Sequence, residues 1–339
     1  MPSESDYLKD LIDSYRNYSV EYYNNYTNHL PMAACALQRM GADRKRLMKF
    51  CGEYARRLNG RIQNNTVIDH ENWKDKRGQH RFFDAYIRYF KSEEKRLGTR
   101  TMVETYMNDL LQGIGSGAFH ALIKLAYGIM NEDSTEMIES MAYYAICYLP
   151  LGEVQPDIPV YSAPGDALLT LKNNTRWKDT TADGKNIDEK IYSVISDPDF
   201  NKYLQLPGDD HLNYLAETAP VMRNIFINSF NFTSLHMITG THALRIVLPY
   251  INEEKRGKAV KQFWKTAAAA YLSIGAPEFE VGNKNEYDSQ AEWEDIFNAA
   301  IQSDDAHVIK LIFTCHEEEK EYNDPLYRYI AKREMHSFT

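Results

Sequence analysis

The chain has 339 residues, enough to bury one large core or two closely joined ones. Charged residues make up 26% and hydrophobic ones 43%, the proportions of a globular protein rather than a disordered or fibrous one. The formal charge of −9, with no basic stripe to offset it, argues against nucleic acid as a partner.

No stretch approaches the roughly 18 uncharged apolar residues of a membrane span. The four cysteines, at 35, 51, 147 and 315, form no CxxC pair, which predicts reduced thiols and a cytosolic protein. The acidic start, Met1-Pro2-Ser3-Glu4-Ser5-Asp6, lacks the apolar core of a secretory signal, so a cytoplasmic location is expected. Twenty-four tyrosines, many beside polar residues, suit helix surfaces and polar-lined cavities.

In chain order, Tyr7, Leu8, Leu11, Ile12 and Tyr15 follow a helical period, and a Tyr/Asn-rich turn completes residues 4–28. Pro31 restarts a helix where its missing amide costs little, with a stripe of Met32, Ala33, Ala36, Leu37 and Met40 that ends at Gly41. His29 stands just before that start. A basic amphipathic helix follows at 43–58, and its Arg44, Lys45, Arg46, Arg56 and Arg57 read as a solvated face. A loop over 59–80 leads to helices at 81–97 and 99–112.

The glycines of Gly113-Ile-Gly-Ser-Gly117-Ala-Phe-His120 follow no β-strand and lack GxGxxG spacing, so they predict a tight turn with close backbone approach rather than a phosphate loop. The helix 118–130 is apolar on most sides, with His120 in its first turn, and a second apolar helix spans 134–149. Residues 150–186 are rich in Pro, Gly, Asp, Lys and Asn and read as a surface excursion or lid. Helices return at 188–196, 200–205 and 210–229, the last interrupted by Pro220. An apolar helix at 231–248 carries His236 and His242 and stops at Pro249. Further helices are predicted at 256–274, 291–302 and 305–319, the last capped by Asp304-Asp305, and a polar C-terminus of mixed charge, loosely ordered at its end, follows. The fold class is therefore all-α: one multi-helix domain with a buried histidine-lined cavity, or two helical lobes joined near 150–186.

His29, His120, His236 and His307 each lie within an apolar helix or at its start. His70, His80, His211 and His336 fall in polar loops or ends, and His316 precedes a charged run; these read as surface positions. Imidazoles delivered by separate buried helices are how a helical bundle builds a metal site, and a nitrogen-rich set suits Fe or Zn better than Mg or Ca. There is no HExxH and no pair of ExxH motifs, so one metal is favoured over two. Four unrelated core histidines are the competing reading. Lys310 follows His307 by three and shares its helix face, where it could react with CO2 and offer a carbamate oxygen to a metal. Lys265, beside Trp264, is the other lysine in an apolar context.

The segments Tyr26-Thr-Asn-His29-Leu-Pro-Met32, Gly113 to Ile123, Leu235-His236-Met-Ile-Thr239, Trp264-Lys265 with Gly275-Ala-Pro277, and Asp305-Ala-His307-Val-Ile-Lys310 resemble, in order, the questin oxidase-like family. The resemblance implies an oxidoreductase of the kind that opens an anthraquinone ring in fungal polyketide pathways, a step described as a Baeyer–Villiger-type oxidation. It also implies a non-haem iron dioxygenase whose ligands are four histidines and a carboxylated lysine. Carried over by position, those are His29, His120, His236 and His307, with Lys310 preferred to Lys265 because it lies one turn from His307. His242 departs from the fungal pattern and is expected to orient a ligand or touch substrate. Lys124 stands where fungal members tend to have another histidine, a second departure.

The expected chemistry is Fe(II) binding O2 while a phenolate supplies electrons for C–C cleavage. The expected ligand is a small aromatic, with Lys265, His242 and Tyr26 as candidate catalytic contacts and Tyr22 and Tyr23 near His29 to stack on it. A metal-free, NADPH-assisted monooxygenase of the same family, or a non-catalytic ligand-binding helical protein, are the alternatives. No Rossmann fingerprint supports a built-in NADPH site.

Overall fold

The computed structural model describes residues 4–23, 25–152, 157–173, 177, 180–208, 211–282, 287 and 291–335. Among them are sixteen α-helices and a two-stranded hairpin, so the all-α expectation holds. The N-terminal helix α1 (Glu4–Asp13) runs into the hairpin β1 (Glu21–Tyr22) and β2 (Tyr26–Thr27), where the Tyr/Asn-rich turn was expected. No helix is long and apolar enough to cross a membrane among the described residues.

Four helices surround the interior that matters most: α2 (Leu30–Arg39), α6 (His120–Met130), α12 (Phe232–Val247) and α15 (Ala306–Tyr322). They close a ring, since α2 packs on α6, α6 on α12, α12 on α15 and α15 on α2. Around this ring α7 (Ser134–Ile146) covers α6, while α11 (His211–Ser229) and α13 (Glu253–Ser273) cover α12. The buried apolar residues form one continuous cluster from Leu8 to Ala331. Helices α6 and α12 bury residues on every face, as their nearly uninterrupted apolar sequences require.

Two glycines before α6 fit the expected close approach. A Cβ on Gly115 would lie 2.2 Å from Thr266 Cγ2 on α13, so only hydrogen fits there. Gly117, Ala118 and Phe119 then all take positive φ (64°, 52° and 67°), a left-handed turn that aims the first residue of α6 inward.

Several local expectations are corrected. Arg46 is not on a solvated face: its guanidinium donates to the carbonyls of Ile301 and Ser303 and pairs with Asp304, clamping α3 (Arg44–Ala55) to the turn that precedes α15. Pro220 does not interrupt α11, because the helix continues through it. Within the segment 150–186 lies α8 (Pro164–Lys172), an unexpected helix that buries Ala167, Leu168 and Leu171. The C-terminal region holds α16 (Leu326–Met335), whose Leu326, Tyr327, Ile330 and Ala331 repeat at helical spacing and pack on α15. His316 is partly buried, with its ring edge-on to Trp293 and Phe297. His336 lies outside the described residues, and so does the side chain of His211.

Overpacking of this kind typically costs about 1–3 kcal/mol. Gly115→Ala is therefore expected to lower unfolding free energy by about that much in urea titration. Adding Thr266→Ser, which removes the offending methyl, should recover part of the loss. Unchanged stability in Gly115→Ala would contradict the close approach.

Candidate metal centre

Each helix of the central ring brings one imidazole, and each does so at its N-terminal end. His29 is the residue before α2; its backbone amide donates to the Tyr54 hydroxyl at 3.1 Å, and Asn28 Oδ1 accepts from the Leu30 amide at 3.0 Å. His120 opens α6 directly after the left-handed turn. His236 is in the second turn of α12, whose start is capped by Asn231 accepting from the Thr233 amide at 2.8 Å. His307 is the second residue of α15, where Asp305 caps by accepting from the His307 and Val308 amides.

The four rings meet. Ring centroids are 4.8 Å apart for His29 and His120, 4.3 Å for His29 and His307, 4.5 Å for His120 and His236, and 5.6 Å for His236 and His307. Nitrogens of His29, His120 and His307 all lie within 4.8 Å of one another. His236 Nε2 is 3.1 Å from His120 Nε2.

The hydrogen bonds decide what those nitrogens present. His120 Nδ1 lies 2.5 Å from the Gly117 carbonyl and His236 Nδ1 2.7 Å from the Phe232 carbonyl. A carbonyl cannot donate, so each Nδ1 carries the hydrogen and each Nε2 is left as a bare lone pair. Burial, then the positive neighbours, hold His29, His120 and His236 well below the ordinary histidine pKa, so the rings are neutral at pH 7. Two lone pairs 3.1 Å apart repel unless a cation or a donated hydrogen lies between them. His29 Nδ1 is also buried without a hydrogen-bond partner. Converging, unprotonated, partnerless imidazole nitrogens are what a transition-metal ion takes as ligands.

Lys310 lies alongside. It is buried to 1% exposure, and burial lowers its pKa to about 7. Its positive charge contributes to lowering the pKa of all four imidazoles, and it follows His307 by one turn of α15. The cluster is sealed except on one side. The His307 side chain keeps 27% exposure, and the half-exposed Phe232 ring stands edge-on at 4.6 Å to both His236 and His307.

The remaining sequence candidates lie elsewhere. Lys265 donates to the Leu151 carbonyl at 2.6 Å, anchoring the start of the 150–186 segment to α13. His242 has its Nδ1 2.6 Å from Glu318 Oε1 and is not among the converging rings. Tyr26 is 60% exposed in the hairpin and contacts Tyr22 at 6.1 Å between ring centroids. Lys124 is committed to Glu136 in a buried network with Arg16, Asp133 and Glu139. Two residues at the site went unremarked in the sequence. Phe232 was hidden as one more apolar residue, though it directly follows an Asn cap. Glu318 was hidden in the run Glu317-Glu318-Glu319, although 307, 310, 314 and 318 share one helix face.

A sequence profile described as Questin oxidase-like matches residues 26–225 and 226–315. The chain belongs to the questin oxidase-like family. No curated protein matches it. The family is named for an oxidase, and all four of the ring-delivered histidines of this questin oxidase-like chain, with Lys310, fall inside the matched residues.

The lowered imidazole pKa values have a sign that can be tested. An unfolded histidine takes a proton near pH 6.5 and these buried ones do not, so the chelated, metal-free protein should lose stability as pH falls below about 6.5. Each group contributes up to about 1.4 kcal/mol per pH unit. His236→Leu should flatten the slope of unfolding free energy against pH between 6.5 and 5 by about one such increment. An identical slope would mean that His236 titrates normally.

Proposed function

We propose that this chain is a non-haem iron oxygenase that acts on a phenolic, polyketide-type aromatic and breaks a carbon–carbon bond of its ring. The observation that carries the reading is the head-on pair of bare Nε2 atoms on His120 and His236, joined by the His29 and His307 rings in one largely buried cluster. His29, His120, His236 and His307 would hold the ion. Iron, when bound, supplies one-electron chemistry toward O2 that no side chain here can provide.

Charge argues for an anionic companion. Four neutral imidazoles leave a divalent ion's charge unbalanced, and the N-terminal ends of α2, α6 and α15 add partial positive charge. Lys310 fits the deficit. Its neutral amine can attack CO2, forming an N–C bond as one C=O π pair moves to oxygen and a proton leaves nitrogen, which yields an anionic carbamate. A phenolate substrate would supply further negative charge, and the same helix ends favour it.

Phe232 gives the pocket its aromatic rim. The ring stands T-shaped to both His236 and His307, and its exposed surface would stack a planar aromatic beside the imidazole cluster. The tight burial of the other three histidines restricts water to that side.

Anaerobic reconstitution with Fe(II) followed by metal analysis tests the reading, with O2 uptake measured on a hydroxyanthraquinone. About one iron per chain, retained after desalting and lost in His120→Ala and in His236→Ala, is expected. Turnover by rigorously metal-free protein with NADPH would instead favour the monooxygenase alternative. Phe232→Ala should keep its iron while KM for the anthraquinone rises about 2–12-fold, the range of a lost aromatic contact of about 0.5–1.5 kcal/mol. An unchanged KM would remove Phe232 from the substrate's path.

A further inference from the structure

His242 is a second buried imidazole on α12, six residues after His236 and therefore about 120° further round the helix. Its Nδ1 faces Glu318, which Arg245 also binds at 2.7 Å. Glu318 is almost fully buried, yet its hydrogen bonds to His242 and Arg245 hold its pKa below the ordinary glutamate value against the opposing effect of burial. An ionised carboxylate can only accept, so the hydrogen between them sits on Nδ1. Arg245 also reaches Glu321 at 3.1 Å, so the guanidinium ties two carboxylates of α15 to α12.

On the other side of the ring, His242 Nε2 is buried with no hydrogen-bond partner. It borders a narrow gap between side chains, with Lys310, Thr239, Tyr127 and Thr314 among the other walls. The gap admits no water, so a donor to this nitrogen has to come from a wall side chain, and the Tyr127 hydroxyl is likewise without a hydrogen-bond partner. The Thr239 hydroxyl is committed to the Leu235 carbonyl at 3.1 Å. Lys310 is the wall residue with the most N–H donors, and it lies one turn after His307 on α15.

We infer that His242, fixed by Glu318 and Arg245, accepts the Nζ–H of Lys310 across this gap and so sets the direction in which the lysine's terminal group points. The role is positioning: His242 acts through Lys310 and does not touch the ion. It suits both forms of the lysine, because an amine and a carbamate each keep an N–H. A carbamate is planar, so fixing its N–H toward His242 would also fix the plane in which its two oxygens lie. The inference rests on the proposed role of Lys310 as a ligand, and the experiment separates the two.

The metal-free protein is titrated with Co(II), whose visible bands report ligand number, in the wild type, Lys310→Met, His242→Phe and His242→Gln, with thermal unfolding followed alongside. His242→Phe is expected to weaken Co(II) binding about 10–100-fold and to shift the bands toward those of Lys310→Met. His242→Gln, which returns an acceptor oxygen, should move both back toward wild type at equal Tm. A wild-type spectrum and affinity in His242→Phe, while Lys310→Met differs, overturns the inference and leaves the proposed ligand set standing. Lys310→Met identical to wild type overturns Lys310 as a ligand and the inference with it. Should His242→Phe fail to fold, the ¹⁵N resonance of His242 Nε2 in the metal-free chain decides. It should move on Lys310→Met and hold on Tyr127→Phe, and the reverse would assign the contact to Tyr127 and overturn the inference.

Discussion

Two neutral imidazoles face each other nitrogen to nitrogen in the middle of this protein, and much of the structure around them keeps them there. A neutral histidine can relieve such a clash by moving its hydrogen to the facing nitrogen or by turning its ring. Both routes are closed for His120 and His236, because backbone carbonyls of Gly117 and Phe232 claim the other nitrogen of each ring. Burial closes the third route, protonation. The repulsion that remains is a stored preference for a cation at that point. A folded chain keeps such an arrangement only where surrounding contacts over-determine it.

Those contacts are visible in the backbone before α6. Gly115 lets the chain press against Thr266 of α13, and the left-handed turn over Gly117, Ala118 and Phe119 converts that approach into the start of a helix. Phe119 in turn lies against Gly240 of α12, where a Cβ would come within 3.0 Å of the ring. The same few residues therefore set the distance between the helices that carry His120 and His236. On the opposite side, Arg46 clamps α3 to the turn before α15, so the entry of His307 is held from outside the cluster. Lys124 and Arg16 are bound into a carboxylate network on α7. Breaking one partner of such a buried network is costly, and its charges are thereby kept off the imidazoles.

Much of this was legible in the sequence. Helical periodicity located most of the elements, because apolar runs such as 121–129 and 235–247 leave little else for the chain to do. The four histidines stood out for the same reason: an imidazole in such a run needs a partner, and solvent is not there to be one. Less was legible where the signal is a choice among equivalent residues. Arg46 looks like its basic neighbours in sequence, and only the turn at 301–304 distinguishes it. Glu318 sits in a run of three glutamates, and which one faces inward depends on a helix phase fixed by His307 and Lys310. The helices α8 and α16 were masked by polar flanks that outweigh their short apolar stripes. Tyr26 and Lys265, attractive by proximity or by apolar surroundings, show the limit of such cues: one ends on the hairpin surface, the other on a backbone carbonyl.

The account stands on the convergence of four imidazoles upon one ion. Crystals of the iron-loaded protein, measured on either side of the iron absorption edge, address that point most directly. The account predicts a single anomalous peak about 2 Å from nitrogens of His29, His120, His236 and His307. Four ordered rings with no peak among them, or a peak bound elsewhere in the chain, would contradict it.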